Sequence, residues 1–137
     1  MKTADRLSES GGNLDYVRLE QEIMKNINSD QITSNHFNCK TNELENGVTL
    51  KNTQVIIIEG AYSLRSNLFP YYTLSILLEI DDELQKDRIL ARNGKEMLQR
   101  WIKEWIPLEN KYFDEEGLKS KVDIIIDLNI KNYYFLT

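Results

Sequence analysis

Val55-Ile56-Ile57-Ile58-Glu59-Gly60 is the stretch whose reading decides the fold of this chain. Its four β-branched apolar residues run without a polar interruption, and continuity instead of alternation predicts a strand covered on both faces, as in a parallel sheet. Such a strand delivers Glu59 and then Gly60 to its C-terminal end, the edge at which open α/β sheets bind ligands. A carboxylate there can orient the water shell of Mg²⁺ or move a proton, and a glycine lets the backbone turn beside a substrate. The same hexapeptide also fits a solvated glutamate ahead of an ordinary turn.

Downstream, residues 74–80 and 122–126 form two further apolar runs. Between them Met97, Trp101 and Trp105 recur at steps of four, as do Leu98, Ile102 and Ile106, which predicts a long helix that Pro107 should break or kink. Upstream, Ser10-Gly11-Gly12 reads as a loop, Asn13 as a helix cap, and Leu19, Ile23 and Ile27 as one face of a helix over residues 13–28. Residues 29–53 are rich in Asn, Ser and Thr, with β-capable pieces near Phe37 and at Val48-Thr49-Leu50, and read as a small hairpin excursion turning at Asn46-Gly47. The tail over residues 128–137, with Tyr133-Tyr134-Phe135, fits either a terminal strand or a cover for an exposed edge. Strands alternating with helices predict an α/β fold, and 137 residues predict a single domain.

Composition narrows the function. With 41% apolar and 28% charged residues the chain has the make-up of a globular protein, and a net charge of −5 argues against a basic surface for nucleic acid or anionic membranes. No apolar stretch approaches a membrane span, and no apolar signal core follows Met1-Lys2-Thr3-Ala4-Asp5-Arg6, so a cytoplasmic location is expected. Cys39 and His36 are each the single residue of their kind, which rules out an intrachain disulfide or a cysteine-pair zinc site.

A second chemical feature begins at Asp81, where a strand leads into a helix carrying Arg88 and Arg92, four residues apart and on one face. Two guanidinium groups on a segment able to close over a site suit phosphoryl transfer, in which charge spread over phosphate oxygens must be neutralised. A solvated amphipathic helix, with Glu83 and Asp87 pairing locally, is the plainer alternative.

Together with Gly11-Gly12-Asn13-Leu14-Asp15-Tyr16 and Trp105-Ile106-Pro107-Leu108-Glu109, these pieces resemble the uridine kinase and phosphoribulokinase superfamily, closest to its bacterial uridine kinase-like members. The order of motifs is kept from about residue 6 to residue 127. The resemblance implies a P-loop kinase-type parallel sheet with flanking helices, ATP and Mg²⁺ as cofactors, and a nucleoside or related small hydroxyl compound as acceptor. It implies that Asp15 holds sugar hydroxyls, that Arg88 contacts the sugar or its phosphoryl acceptor, and that Arg92 is a lid arginine toward the nucleotide. Glu59 corresponds to the strand-end carboxylate near Mg²⁺, through water, while Tyr62 and Ser63 continue the same loop. Phe37-Asn38-Cys39 stands where the family pattern has Tyr-Asp-Cys, so an aromatic hydroxyl and a carboxylate are replaced in the segment expected to contact substrate.

The 137 residues contain no Gly-x-x-x-x-Gly-Lys-[Ser/Thr] stretch. Without its successive N–H donors, lysine and Mg²⁺-binding hydroxyl, a γ-phosphate is not positioned, and phosphoryl transfer by this chain alone is expected to be negligible. The resemblance also implies that the strand leading into that loop lies between residues 55–59 and residues 74–80. Its loss should lead those strands to pair directly, to expose an apolar edge, or to recruit another chain, so a homo-oligomer or strand-exchanged partner is expected. A non-catalytic binding or assembly protein that keeps the acceptor pocket is the alternative function, and a remnant without function is a third.

Overall fold

The structure, a computed structural model, describes residues 9–12, 14–38, 40–51 and 55–129. The chain divides into two compact units, Asn13–Ser63 on the one hand and Met1–Gly12 with Leu64–Thr137 on the other.

In the first unit, helix α1 (Tyr16–Arg18) continues into a π turn, Leu19–Ile23, and a 3-10 turn, Met24–Asn26. The predicted cap Asn13 lies outside the described residues; the cap is Asp15, whose Oδ1 accepts the Arg18 N–H at 3.1 Å and so satisfies one of the free donors of the first turn. Strands β1 (Gln31–Asn38) and β2 (Glu43–Lys51) form the antiparallel hairpin foreseen for residues 29–53. Its turn is not at Asn46-Gly47. Asn38 Oδ1 accepts the N–H groups of Lys40 and Thr41, and Asn42 takes a left-handed conformation at φ 61°, so asparagine chemistry closes the hairpin four residues earlier. Gly47 instead lies within β2, where the register shifts between Ser34 and His36 and a Cβ would fall 1.3 Å from the Ser34 carbonyl oxygen.

That bulge frees the backbone of Asn35, and α1 satisfies it. Glu22 Oε2 accepts the Asn35 N–H at 3.0 Å, the Arg18 guanidinium donates to the Asn35 carbonyl at 2.6 Å, and Arg18 Nε pairs with Glu22 Oε1 at 3.0 Å. The Asn35 N–H first, and Arg18 second, hold the Glu22 carboxyl below its ordinary range. A depressed carboxyl stabilises the fold above the unfolded-state value near 4.5 and loses that contribution as pH falls through the lower folded value. Glu22→Gln is therefore expected to speed amide exchange across β1 and β2 at pH 7, with the difference from wild type closing as the pH falls below about 4. Equal exchange at pH 7 would contradict the clamp.

In the second unit, β3 (Ile76–Glu79) and β4 (Ile124–Asp127) pair in parallel, Ile76 with Ile124 through Glu79 with Asp127. These are cores of the apolar runs at 74–80 and 122–126. The ladder is started by a polar clamp: Asp123 Oδ2 accepts both the Ser75 N–H at 2.8 Å and the Ser75 hydroxyl at 2.7 Å, while Ser75 Oγ accepts the Asp123 N–H at 3.1 Å. These bonds, the Ser75 hydroxyl foremost, lower the Asp123 carboxyl.

Helix α2 (Asp82–Arg100) follows β3 and is interrupted at Gly94, whose φ of 80° and ψ of 172° suit glycine alone. Beyond it the chain passes through a π turn, Trp101–Trp105, into α3 (Ile106–Glu116), which ends at left-handed Gly117. Pro107 sits in the first turn of α3, so it widens the preceding turn without ending the helix; the break expected at the proline occurs at Gly94. Leu68, Tyr112 and Leu118 are almost wholly buried, with Leu77, Ile89, Ile106 and Leu108 around them. Arg65 ties the start of this unit together, pairing with Glu9 at 3.5 Å and with Glu116 at 3.9 Å, while Glu116 also accepts the Ser66 N–H and hydroxyl.

The run at residues 55–58 departs from expectation. It belongs to neither ladder among the described residues, and Val55 and Ile57 are 73% and 83% exposed. A strand meant to be covered on both faces needs hydrogen-bonded neighbours, and β-branched composition alone does not supply them. The tail reading for residues 128–137 falls, beyond Asn129, outside the described residues.

Candidate functional site

The residues singled out from the sequence fall in both units. In the first, Asp15 is exposed, and its carboxylate is engaged as the cap of α1, through Oδ1, leaving Oδ2 for a ligand. Glu59 is exposed and followed by Gly60 at φ 154°, a conformation that requires glycine. The turn after it is closed by Ser63, whose N–H and hydroxyl both donate to the Gly60 carbonyl, at 3.2 and 2.9 Å. Tyr62 is half-buried within that turn. The strand-end carboxylate and glycine thus form a shaped loop, although no ladder leads into it.

Phe37 and Asn38 lie at the tip of the hairpin. Phe37 is half-exposed opposite Leu44. Asn38 is engaged at both ends of its amide: its oxygen holds the turn, and its nitrogen donates to Glu45 Oε1 at 2.6 Å. His36 Nε2 reaches the other Glu45 oxygen at 2.9 Å, and Asn38 first, then His36, lowers the Glu45 carboxyl. The Asn at this position therefore closes the hairpin, a task for which a short amide is well suited.

In the second unit, Arg88 and Arg92 both lie exposed on α2, one turn apart. The other described arginines are held by carboxylates: Arg18 by Glu22, Arg65 by Glu9 and Glu116, and Arg100 by Glu104. Arg88 makes no ion pair or hydrogen bond among the described residues. Arg92 is held by neutral groups, Nε donating to Asn93 Oδ1 at 2.7 Å and the guanidinium lying 5.8 Å from the Trp101 ring centroid, across the Gly94 turn. Both charges remain available to an anion.

Two features were not foreseen. Trp101 and Trp105 meet edge to face at 4.5 Å, with Arg100 5.0 Å from the Trp105 centroid, so an aromatic cluster flanked by arginines follows the Gly94 break. The steps of four that place both tryptophans on one helical face were visible, but the contact of Arg92 with Trp101 spans a glycine break. The second is Glu109, partly buried and bonded by Gln85 Nε2 at 3.0 Å; burial, its main influence, raises its carboxyl above the usual range. A raised carboxyl stabilises the fold below its unfolded-state value near 4.5 and loses that contribution as pH rises through the folded value. Glu109→Gln, which can keep a bond to Gln85, is expected to raise the melting temperature at pH 7 and to leave it unchanged near pH 4. A lower melting temperature at pH 7 would mean that the charged form is the favoured one.

Comparison with solved structures finds likenesses, of which one is described. The chain superposes on a possible uridine kinase from Bacillus stearothermophilus with a TM-score of 0.61 and 19% identity, over 82% of this chain and 54% of that one. The likeness is one of fold. The chain spans about half the length of that structure. No protein-family profile matches it, and no curated protein does.

The residues present do not fit Mg·ATP. No glycine-lysine-serine or glycine-lysine-threonine loop exists in the sequence to cradle a triphosphate, and no group of three acidic, histidine or cysteine side chains able to hold a metal occurs among the described residues.

Proposed function

We propose that this chain is the acceptor-binding and lid part of a kinase-type phosphotransferase acting on a nucleoside or related small hydroxyl compound, and that it transfers no phosphoryl group from ATP by its own residues. The observation that carries the reading is the pair of arginines on α2, exposed, one turn apart and claimed by no carboxylate, immediately ahead of the Gly94 break. Guanidinium groups are costly to leave without an anion where a site is to be closed, and a planar donor fork matches phosphate oxygens.

In this reading Arg88 and Arg92 bind the phosphoryl oxygens of the phosphorylated form of that compound, a nucleoside monophosphate or sugar phosphate, Arg92 leaving the Trp101 face to do so. Within the first unit, the uncommitted oxygen of Asp15 suits a sugar hydroxyl, and Glu59 and Tyr62 belong to the loop that the resemblance assigns to substrate. Phe37 supplies an apolar contact at most, and Asn38 is withdrawn from recognition by its role in the turn. The kinase-like fold supports the class of ligand; the missing triphosphate cradle supports the absence of turnover.

Titration calorimetry with uridine monophosphate, ribose 5-phosphate and Mg·ATP tests this. Binding of the first two at Kd of about 10 μM to 1 mM, with no phosphoryl transfer from ATP, is expected. The alternative, a binding or assembly protein that keeps the pocket for an unphosphorylated compound, predicts uridine binding that is indifferent to Arg88 and Arg92.

A further inference from the structure

The parallel pair β3 and β4 stands as a two-stranded sheet among the described residues, with the other edge of β3 joined to no strand. This is an unusual state for parallel strands, which ordinarily lie inside larger sheets with both faces covered. Residues at even positions of β3 share one face because side chains alternate along a strand. On that face Leu74 is 55%, Ile76 41% and Leu78 55% exposed, next to Ile124 at 42%. On the opposite face Leu77 is buried. An apolar strip, begun by Leu74 just ahead of β3, therefore lies on one face of the pair, beside the edge of β3 that joins no strand among the described residues.

We infer that the open edge of β3 pairs with β3 of a second copy of this chain, antiparallel about a twofold axis. The strand is self-complementary in that arrangement. Centred on Leu77, it sets Ile76 opposite Leu78 of the second copy, Leu74 opposite Ile80, and Ser75 opposite Glu79, so apolar side chains meet apolar ones and no like charges face each other. Residues 74–78 carry no charge, and Glu79 is already paired with Lys119, so nothing on the strip calls for a charged foreign peptide. Pairing with itself also removes both exposed edges in one step, whereas a foreign strand must bring an unsatisfied edge of its own. The open edge of β4 is the poorer candidate, since it is flanked by Asp123 and ends in Asp127. The result is a four-stranded sheet in the order β4, β3, β3 and β4 across two copies.

Light scattering after size exclusion tests the inference on the full chain. At about 200 μM the wild type is expected at twice the chain mass of 16.1 kDa, and Leu78→Lys or Ile76→Lys, with unchanged far-ultraviolet circular dichroism, at the monomer mass. A wild-type monomer at that concentration, a polydisperse aggregate, or a dimer that persists in a folded Leu78→Lys protein overturns it. Should both lysine variants fail to fold, hydrogen exchange on the wild type decides: amides of residues 76–80 must slow between about 5 μM and about 200 μM, and equal rates overturn the pairing.

Discussion

Replacing Arg88 and Arg92 together by alanine is expected to weaken binding of a nucleoside monophosphate at least 10-fold, and to near or beyond detection by calorimetry. Each arginine is free to place a charge-assisted hydrogen bond on a phosphate oxygen, worth roughly 1.5–3 kcal/mol where the partner is an ion, and about 1.4 kcal/mol corresponds to each factor of ten. The two bonds share one anion, so their losses will not simply add. Stability should hardly change. Both side chains are exposed and neither pairs with a carboxylate, and such surface positions cost within about 0.5 kcal/mol when truncated. A double variant that binds as well as wild type would remove the arginines from the site. One that melts markedly lower would make them part of the scaffold. Arg92 carries a built-in reporter, because both tryptophans of the chain lie in the cluster against which its guanidinium rests, so phosphate binding is expected to change the tryptophan emission of the wild type and not of Arg92→Ala.

The largest effect on stability is expected at Tyr112. Its side chain is completely buried in α3, packed beside Phe113 at a ring separation of 5.7 Å, and burial above all, with the charge of Glu116, pushes its phenol far above the ordinary range. The ring therefore stays neutral throughout the working pH range. Tyr112→Ala removes a large core side chain at a cost of about 3–5 kcal/mol, a large part of the total stability of an ordinary domain, which is about 5–15 kcal/mol. Loss of cooperative unfolding of the second unit is the expected result in a calorimetric melt. Tyr112→Phe keeps the ring and should cost much less, about 1–2 kcal/mol. Equal costs for the two variants would show that the hydroxyl, not the ring, holds this core.

The parts of the fold that could be read from the sequence are those decided by local chemistry and periodicity. Residues 74–80 and 122–126 contain the two parallel strands, and the steps of four through Trp101 and Trp105 lie in one long helical stretch. What could not be read depended on partners distant in sequence. The most strand-like hexapeptide in the chain, Val55 to Gly60, joins no ladder among the described residues, because a β-branched run specifies a covered strand without specifying what covers it. Gly47 looked like a turn residue and is instead the small residue needed where β2 passes the Ser34 carbonyl, while Asn38 and Asn42 make the turn. That Arg88 and Arg92 stand one turn apart on a helix was legible from their spacing. That Asp15 spends one oxygen on Arg18 and that Asn38 spends its whole side chain on the hairpin were not, since both contacts depend on where a helix and a turn begin.

Competitive calorimetry of the wild type with uridine monophosphate and Mg·ATP is the decisive measurement for the proposed acceptor site without a triphosphate cradle. The expected result is uridine monophosphate binding at about 10 μM to 1 mM, lost in the Arg88→Ala, Arg92→Ala protein and undisturbed by millimolar Mg·ATP. Mg·ATP binding tighter than about 10 μM, accompanied by transfer of its γ-phosphoryl group, would contradict it.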